Sequence, residues 1–139
     1  MKRESPKTAK INRANAAWRK AFVLEAGRCQ MPDCSTPLAS LHVHEIGRGC
    51  HRQNTKLHRL ACLVVCDSCN QGPLCDYSVW PIERQLALKL LTDPKHFDLV
   101  AFCNLCGAPY TWIDGNDLLP HLQELLTSFP GVTHQWVIT

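Results

Sequence analysis

The chain has 139 residues and a formal net charge of +3, and 45% of its residues are hydrophobic. A chain of this length can bury one core but hardly two, so we expect one compact domain. It opens on MKRESPK and has no apolar run of about 18 residues that could span a bilayer. We therefore expect a soluble, cytoplasmic protein without a membrane partner.

Positive charge is concentrated in the first part of the chain. Residues 1–59 contain twelve lysines and arginines against four acidic residues, whereas residues 60–139 contain three against eight. Such a division is typical of a nucleic-acid-facing region, because phosphate contacts supply most of the sequence-independent affinity. For residues 1–10 a solvated tail is the preferred interpretation. The predicted nucleic-acid contacts are Arg48, His51, Arg52, Lys56 and Arg59.

A helix is predicted first in chain order, over residues 12–26. The spacing of its apolar residues turns Trp18 and Phe22 to the interior, and Gly27 is a suitable end. Residues 47–61, which come later, have no clear period and are interpreted as a loop.

A strand is predicted in LASLHVHEI, between the helix over 12–26 and the loop over 47–61. Alternation places His42 and His44 on one face and Val43 and Glu45 on the other. A second short strand is predicted over residues 63–65. CDSCNQ then presents two cysteines in a turn that can open a helix.

The C-terminal half is predicted to be mainly helical. One helix spans residues 81–92, with Pro81 at its first position, and another lies in KHFDLVAFCNLCGAP, capped by Gly107. A third stretch, NDLLPHLQELLTSF, is interpreted as a helix broken or started by Pro120. Residues 130–139 are interpreted as a turn and a short β segment.

Nine cysteines are an odd number, so they cannot form a complete set of disulfides. In a reducing compartment, paired cysteines are more often metal ligands than disulfides. Cys29 and Cys34 have four residues between them, and Cys66 and Cys69 have two. Each pair can bring two thiolates onto one tetrahedral ion, so the sequence predicts a structural Zn²⁺ at these four cysteines. The alternative is a set of buried thiols.

Cys103 and Cys106 form a third pair, in FCNLCGAP. Three residues apart on a helix, they share one face and can both be core residues. The alternative is a second metal, with further ligands from Cys75, His121 or His134. Since no second CxxC follows, the core interpretation is preferred.

Residues 29–72 resemble the HNH (His-Me finger) endonucleases, which occur widely in bacteria and phages. The resemblance depends on the four cysteines, the strand motif VHEI, the basic glycine-containing loop after it, and LVVCDSCNQ. In that family a β-hairpin and a helix form a ββα-metal core, and in many members paired cysteines bind a structural zinc. The resemblance implies a small α+β fold built on this core, with an N-terminal helix and C-terminal helices added.

The resemblance also assigns roles. It implies that His44 and Asn70 bind a catalytic divalent ion such as Mg²⁺, and that Glu45 is the general base. The chain departs from the family at two positions, because Glu45 replaces a histidine and Ala61 corresponds to the middle asparagine. A carboxylate is a weak base at neutral pH unless its pKa is raised. Two alternatives stay open: Glu45 is a metal ligand and His44 or His42 is the base, or His44 only hydrogen-bonds a backbone carbonyl.

Together these observations predict an HNH-like, metal-dependent endonuclease that hydrolyses phosphodiester bonds in DNA. The first alternative is a catalytically degenerate HNH-derived zinc module that binds nucleic acid or a protein without cleavage. The second is a protein-interaction adaptor that uses residues 80–139. We expect a basic arm and helix over 1–27, the zinc-bound core over 28–78, and a helical extension over 79–139 that packs on the core.

Overall fold

The computed structural model describes residues 6–32, 34, 41–46, 58–76, 78–106 and 113–129. Its main elements, in chain order, are α1 (Pro6–Ala26), β1 (Leu41–Glu45), β2 (Cys62–Cys66), α2 (Asp67–Gln71), α3 (Ile82–Thr92), α4 (Leu99–Cys106) and α5 (Gly115–Ser128). Short 3₁₀ turns occupy Arg59–Ala61, Pro73–Cys75 and Pro94–His96. The protein is small and mixed α+β, as predicted. No helix in these ranges is long and apolar enough to cross a membrane.

Helix α1 begins at Pro6, earlier than the predicted start at residue 12. It ends before Gly27, whose φ of 74° is a backbone conformation that glycine adopts without strain. Phe22 is buried and Trp18 half-buried, and their ring centroids lie 5.6 Å apart. The predicted inward face of the helix is confirmed, and it packs against both strands.

Strands β1 and β2 form an antiparallel pair in which Leu41 lies opposite Cys66. Every residue of β2 is buried. The outer edge of β2 is covered by Gln30, whose backbone N–H donates to the Val64 carbonyl (2.7 Å) and whose Oε1 accepts from the Val64 N–H (2.6 Å). A buried strand with an unpaired edge would leave backbone polar groups without partners, and Gln30 supplies partners for those of Val64.

Helix α2 follows β2 directly. The Cys66 side chain caps its start by accepting from the Cys69 N–H, and Gly72 ends it. A Cβ at Gly72 would lie 2.7 Å from the Ser68 carbonyl oxygen, so the chain needs glycine here. Because Leu41 lies opposite Cys66, α2 starts beside the first residue of β1, and the helix contacts that strand.

Helices α3 and α5 pack against each other, and Arg84 and Glu124 form an ion pair between them at 2.9 Å. The prediction that Pro120 breaks or starts α5 is wrong, because Pro120 lies inside a continuous helix. That helix starts upstream at a capping box, in which the Asp114 side chain accepts from the Asp117 N–H and the Asp117 side chain accepts from the Asp114 N–H. The predicted loop over 47–57, the cap at Gly107 and the β segment over 130–139 lie outside the described residues.

Candidate functional site

Four cysteine thiols meet beside the end of β2. Their sulfur atoms all lie within 4.8 Å of one another. Cys34 Sγ is 3.7 Å from Cys66 Sγ and 3.8 Å from Cys69 Sγ, and Cys29 completes the set. The two pairs picked out by their spacing therefore form one cluster that could hold a metal ion such as zinc.

The cluster fits tetrahedral thiolate coordination. Zinc–sulfur bonds of about 2.3 Å place neighbouring sulfurs of a tetrahedral site about 3.8 Å apart. The two sulfur separations measured from Cys34 agree with this value. All eight cysteines in the described ranges are free thiols, so no disulfide competes for these sulfurs there. Four soft sulfur donors favour zinc over hard ions such as Mg²⁺.

The backbone around the cluster favours thiolates. The Cys66 N–H donates to Cys29 Sγ (3.3 Å), and the Cys69 N–H donates to Cys66 Sγ (3.4 Å). Arg28 Nη2 donates to the Cys34 carbonyl (3.2 Å) and so ties Cys34 to the segment that carries Cys29. Donors aimed at sulfur stabilise its anionic form, which is the form that binds metal.

Burial has the opposite effect on the metal-free thiols. It raises the pKa of Cys29 to about 11. Burial and the neighbouring Cys66 thiol also raise the pKa of Cys69. These two thiols hold their protons at neutral pH when no metal is bound, so metal binding must release protons.

Cys103 and Cys106 are both buried in α4. Burial raises the pKa of both thiols, that of Cys106 to about 11. Among the described residues, no third cysteine, histidine or carboxylate joins them in a set that could hold a metal ion. Their burial agrees with the core interpretation.

His44 lies between two amide side chains. Its Nδ1 is 2.9 Å from Asn70 Oδ1 of α2, and its Nε2 is 2.8 Å from Gln85 Oε1 of α3. His44 and Asn70, which the resemblance paired, are therefore in contact. Both ring nitrogens face side-chain oxygens rather than a backbone carbonyl. Gln85, which the sequence analysis did not single out, closes the far side of the imidazole.

His42 shares the His44 face of β1, two residues earlier along the strand. Its Nε2 lies 3.9 Å from Asp67 Oδ1, and both side chains are more than half exposed. Gln71 Nε2 donates to the same Asp67 oxygen at 3.0 Å. An exposed imidazole with a carboxylate beside it thus lies on the face that carries His44 and Asn70.

Glu45 is not part of this arrangement. Strand alternation turns it to the opposite face, toward α1, where its Oε1 lies 3.8 Å from Arg19 Nη2 and its side chain is 9% exposed. The three residues predicted to act together are therefore divided between two faces, with His44 and Asn70 on one and Glu45 on the other. Ala61 is fully buried and accepts a backbone hydrogen bond from Ile46 at 2.9 Å.

Arg59, one of the predicted nucleic-acid contacts, is engaged with other side chains of the protein. It pairs with Glu25, lies 3.9 Å from Asp93 and stacks over the Phe22 ring at 4.3 Å. Its side chain is only 19% exposed. The other predicted contacts lie outside the described residues; they are Arg48, His51, Arg52 and Lys56.

The sequence did carry one signal for Gln85. Ile82, Gln85 and Lys89 recur at helical spacing, and all three are buried on α3. A polar residue on an apolar stripe must find a partner inside the protein. The spacing does not predict that this partner is His44, which lies 41 residues away along the chain.

No family model matches the chain, and neither does any curated protein or solved structure.

Proposed function

We propose that this protein is an HNH-like, metal-dependent endonuclease that hydrolyses phosphodiester bonds in DNA, with a structural zinc at Cys29, Cys34, Cys66 and Cys69. The single observation that carries the proposal is the approach of His44 Nδ1 to Asn70 Oδ1 at 2.9 Å. Neighbouring ligands of an octahedral ion with bonds of about 2.1 Å lie about 3.0 Å apart. The separation of these two atoms is that of a hydrogen bond and is also compatible with a pair of metal ligands.

His44 and Asn70 would hold a divalent ion such as Mg²⁺ or Mn²⁺ through one nitrogen and one amide oxygen. When bound there, the ion would stabilise the charge that develops on the scissile phosphate and the leaving oxygen. His44 is half-buried, and its ring lies between the Asn70 and Gln85 side chains.

His42 is the proposed general base. It lies on the same strand face as His44, is exposed, and has the Asp67 carboxylate 3.9 Å from its Nε2. A neutral imidazole accepts a proton from water near neutral pH better than an ordinary carboxylate does. The Asp67 carboxylate favours the protonated ring by its charge, and Gln71 donates a hydrogen bond to Asp67. Glu45 instead links β1 to α1 through Arg19.

A second candidate is the catalytically degenerate module that binds nucleic acid without cutting it. Buried Ala61 favours this candidate, because the family's asparagine side chain is missing where it would hold a base in place. Exposed cations on α1 such as Lys20 would serve either function.

Nicking of supercoiled plasmid by the zinc-loaded protein, with Mg²⁺, Mn²⁺ or Ni²⁺ added, tests the proposal. We expect metal-dependent nicking that is lost in His44→Ala and Asn70→Ala. His42→Ala should lower the rate about 100-fold or more, the usual contribution of a general base. Glu45→Gln is the matched control on the same strand and should keep nearly full activity.

Three other outcomes have defined meanings. Nicking that survives His42→Ala but is lost in Glu45→Gln would identify Glu45 as the base. Plasmid that shifts on a gel but is never nicked would indicate the degenerate module. A plasmid that is neither shifted on the gel nor nicked would contradict both candidate functions.

A further inference from the structure

The side chain of Gln85 has only one orientation that satisfies its surroundings. Gln85 is fully buried in α3. Its Nε2 donates to the Trp80 carbonyl at 2.8 Å, and a carbonyl oxygen can only accept. The amide nitrogen is therefore fixed toward Trp80, which leaves Oε1 facing His44 Nε2 at 2.8 Å.

This orientation determines which ring nitrogen of His44 carries the proton. Because Gln85 Oε1 only accepts, His44 Nε2 must donate and so must be protonated. A neutral imidazole has one N–H, so its Nδ1 then carries a lone pair. That lone pair faces Asn70 Oδ1, a second acceptor, at 2.9 Å. In this tautomer Nδ1 is the ring nitrogen that could bind a metal ion beside the Asn70 side-chain oxygen.

The support for Gln85 is rigid. The Trp80 N–H donates to the Asp76 carbonyl (2.8 Å), Trp80 is buried, and Arg84 lies over its ring at 4.4 Å. Gln85 is thus held by the turn that precedes α3 as well as by the helix itself. Outer residues held in this way commonly fix the tautomer of a metal-binding histidine.

We propose that Gln85 is a positioning residue that holds His44 in the tautomer protonated at Nε2, so that Nδ1 is free to bind a divalent ion. The metal-binding part of this inference rests on the proposed function, whereas the tautomer does not. The proposal gives α3 a part in the site, although α3 lies outside the region that resembles the nuclease family.

Long-range ¹⁵N–¹H NMR of the histidine rings tests the tautomer directly, in the zinc-loaded protein without added Mg²⁺ or Mn²⁺. Wild-type His44 is expected to show a protonated Nε2 and an unprotonated Nδ1. Gln85→Leu, which removes the acceptor at similar volume, should give a mixture of tautomers. Thr92→Val is the control, because it removes a buried hydrogen bond of the same helix, to the Leu88 carbonyl, without touching His44.

A second readout is Mn²⁺ affinity measured by titration. Loss of such an outer partner typically weakens metal binding 10–100-fold, so we expect a loss of about that size in Gln85→Leu and little change in Thr92→Val. The wild-type spectrum alone can overturn the proposal, so the test does not depend on the folding of Gln85→Leu. A wild-type His44 protonated at Nδ1, or a Gln85→Leu spectrum with the wild-type tautomer, would do so.

The two readouts separate the two ideas. The expected tautomer together with no Mn²⁺ binding, even in the wild type, would support the positioning role and contradict the proposed metal site. Mn²⁺ binding that is lost in His44→Ala but unchanged in Gln85→Leu would support the metal site and overturn the role of Gln85.

Discussion

Lys89 is a fully buried cation on α3, on the same helical stripe as Gln85. Its Nζ donates to Asp93 Oδ2 at 2.7 Å and lies 5.2 Å from the Phe22 ring centroid. The second oxygen of Asp93 lies 2.8 Å from His96 Nδ1. Burial lowers the pKa of Lys89, while the Asp93 carboxylate opposes this effect. Asp93 is therefore the group that makes the buried charge tolerable.

Removing Asp93 should be more damaging than removing Lys89. Asp93→Ala leaves Lys89 buried without its carboxylate, which costs about 3–5 kcal/mol of unfolding free energy. Lys89→Met removes the buried charge and leaves Asp93 with His96 and Arg59, so we expect a smaller loss, about 1 kcal/mol. Urea unfolding of the zinc-loaded proteins measures both values. Equal losses in the two variants would contradict this account of the pair.

The lowered pKa of Lys89 also predicts a pH dependence. The folded state releases the Lys89 proton at lower pH than the unfolded state, whose pKa is near 10.5. Stability from this group therefore rises with pH between its lowered pKa and 10.5, and is constant above that value. The stability difference between wild type and Lys89→Met should shift in favour of the wild type across this interval. A difference that stays flat with pH would show that Lys89 keeps its ordinary pKa.

At the scale of elements, α5 shows how a local cap outweighs a helix breaker. Pro120 lacks an N–H and removes one backbone bond near the start of the helix. The Asp114 side chain accepts from the Asn116 and Asp117 N–H groups at 2.8 and 3.3 Å. In return, the Asp117 side chain accepts from the Asp114 N–H at 2.8 Å. The start of α5 is therefore set by Asp114, and packing against α3 carries the helix past the proline.

Asp114→Ala should destabilise the protein by about 1 kcal/mol, the usual cost of losing a side-chain cap. Gln123→Ala is the control, because Gln123 is an exposed residue in the interior of the same helix. Its replacement should change stability by less than about 0.5 kcal/mol. Thermal or urea unfolding compares the two, and a larger loss in the control would refute the assigned cap.

At the scale of the whole molecule, the cysteine cluster joins segments that are distant in sequence. It connects the chain after α1, through Cys29 and Cys34, to the end of β2 and to α2, through Cys66 and Cys69. Asn70 follows Cys69 directly, so a metal at the cluster would fix the segment that presents Asn70 to His44. We expect loss of the metal to disturb both the fold and the proposed site.

The purified protein is expected to contain one equivalent of zinc per chain. Chelation, or Cys34→Ser, should release it and lower the unfolding temperature. Cys75→Ser is the matched control, since Cys75 is an exposed cysteine outside the four-sulfur set. Elemental analysis with circular dichroism provides the measurement. A zinc-free protein of unchanged unfolding temperature would contradict a structural role for the metal.

Much of this organisation was determined by the sequence alone. Apolar spacing predicted α1, and Pro81 as a helix-start signal predicted α3. Alternation predicted the two faces of β1, and cysteine spacing predicted the thiol cluster. These features depend on backbone sterics and short-range periodicity, which neighbouring residues determine. The start of α5 was misjudged because proline was weighed without the Asp114 cap, although both are local signals.

Only the tertiary structure decided which residues share a site. It gave Arg59 the partners Glu25 and Asp93, and it brought Gln85 to His44 across 41 residues. Such contacts depend on how elements pack and on which partner a buried polar group finds. Periodicity predicts that a side chain is buried, whereas the residues that it contacts depend on the tertiary structure.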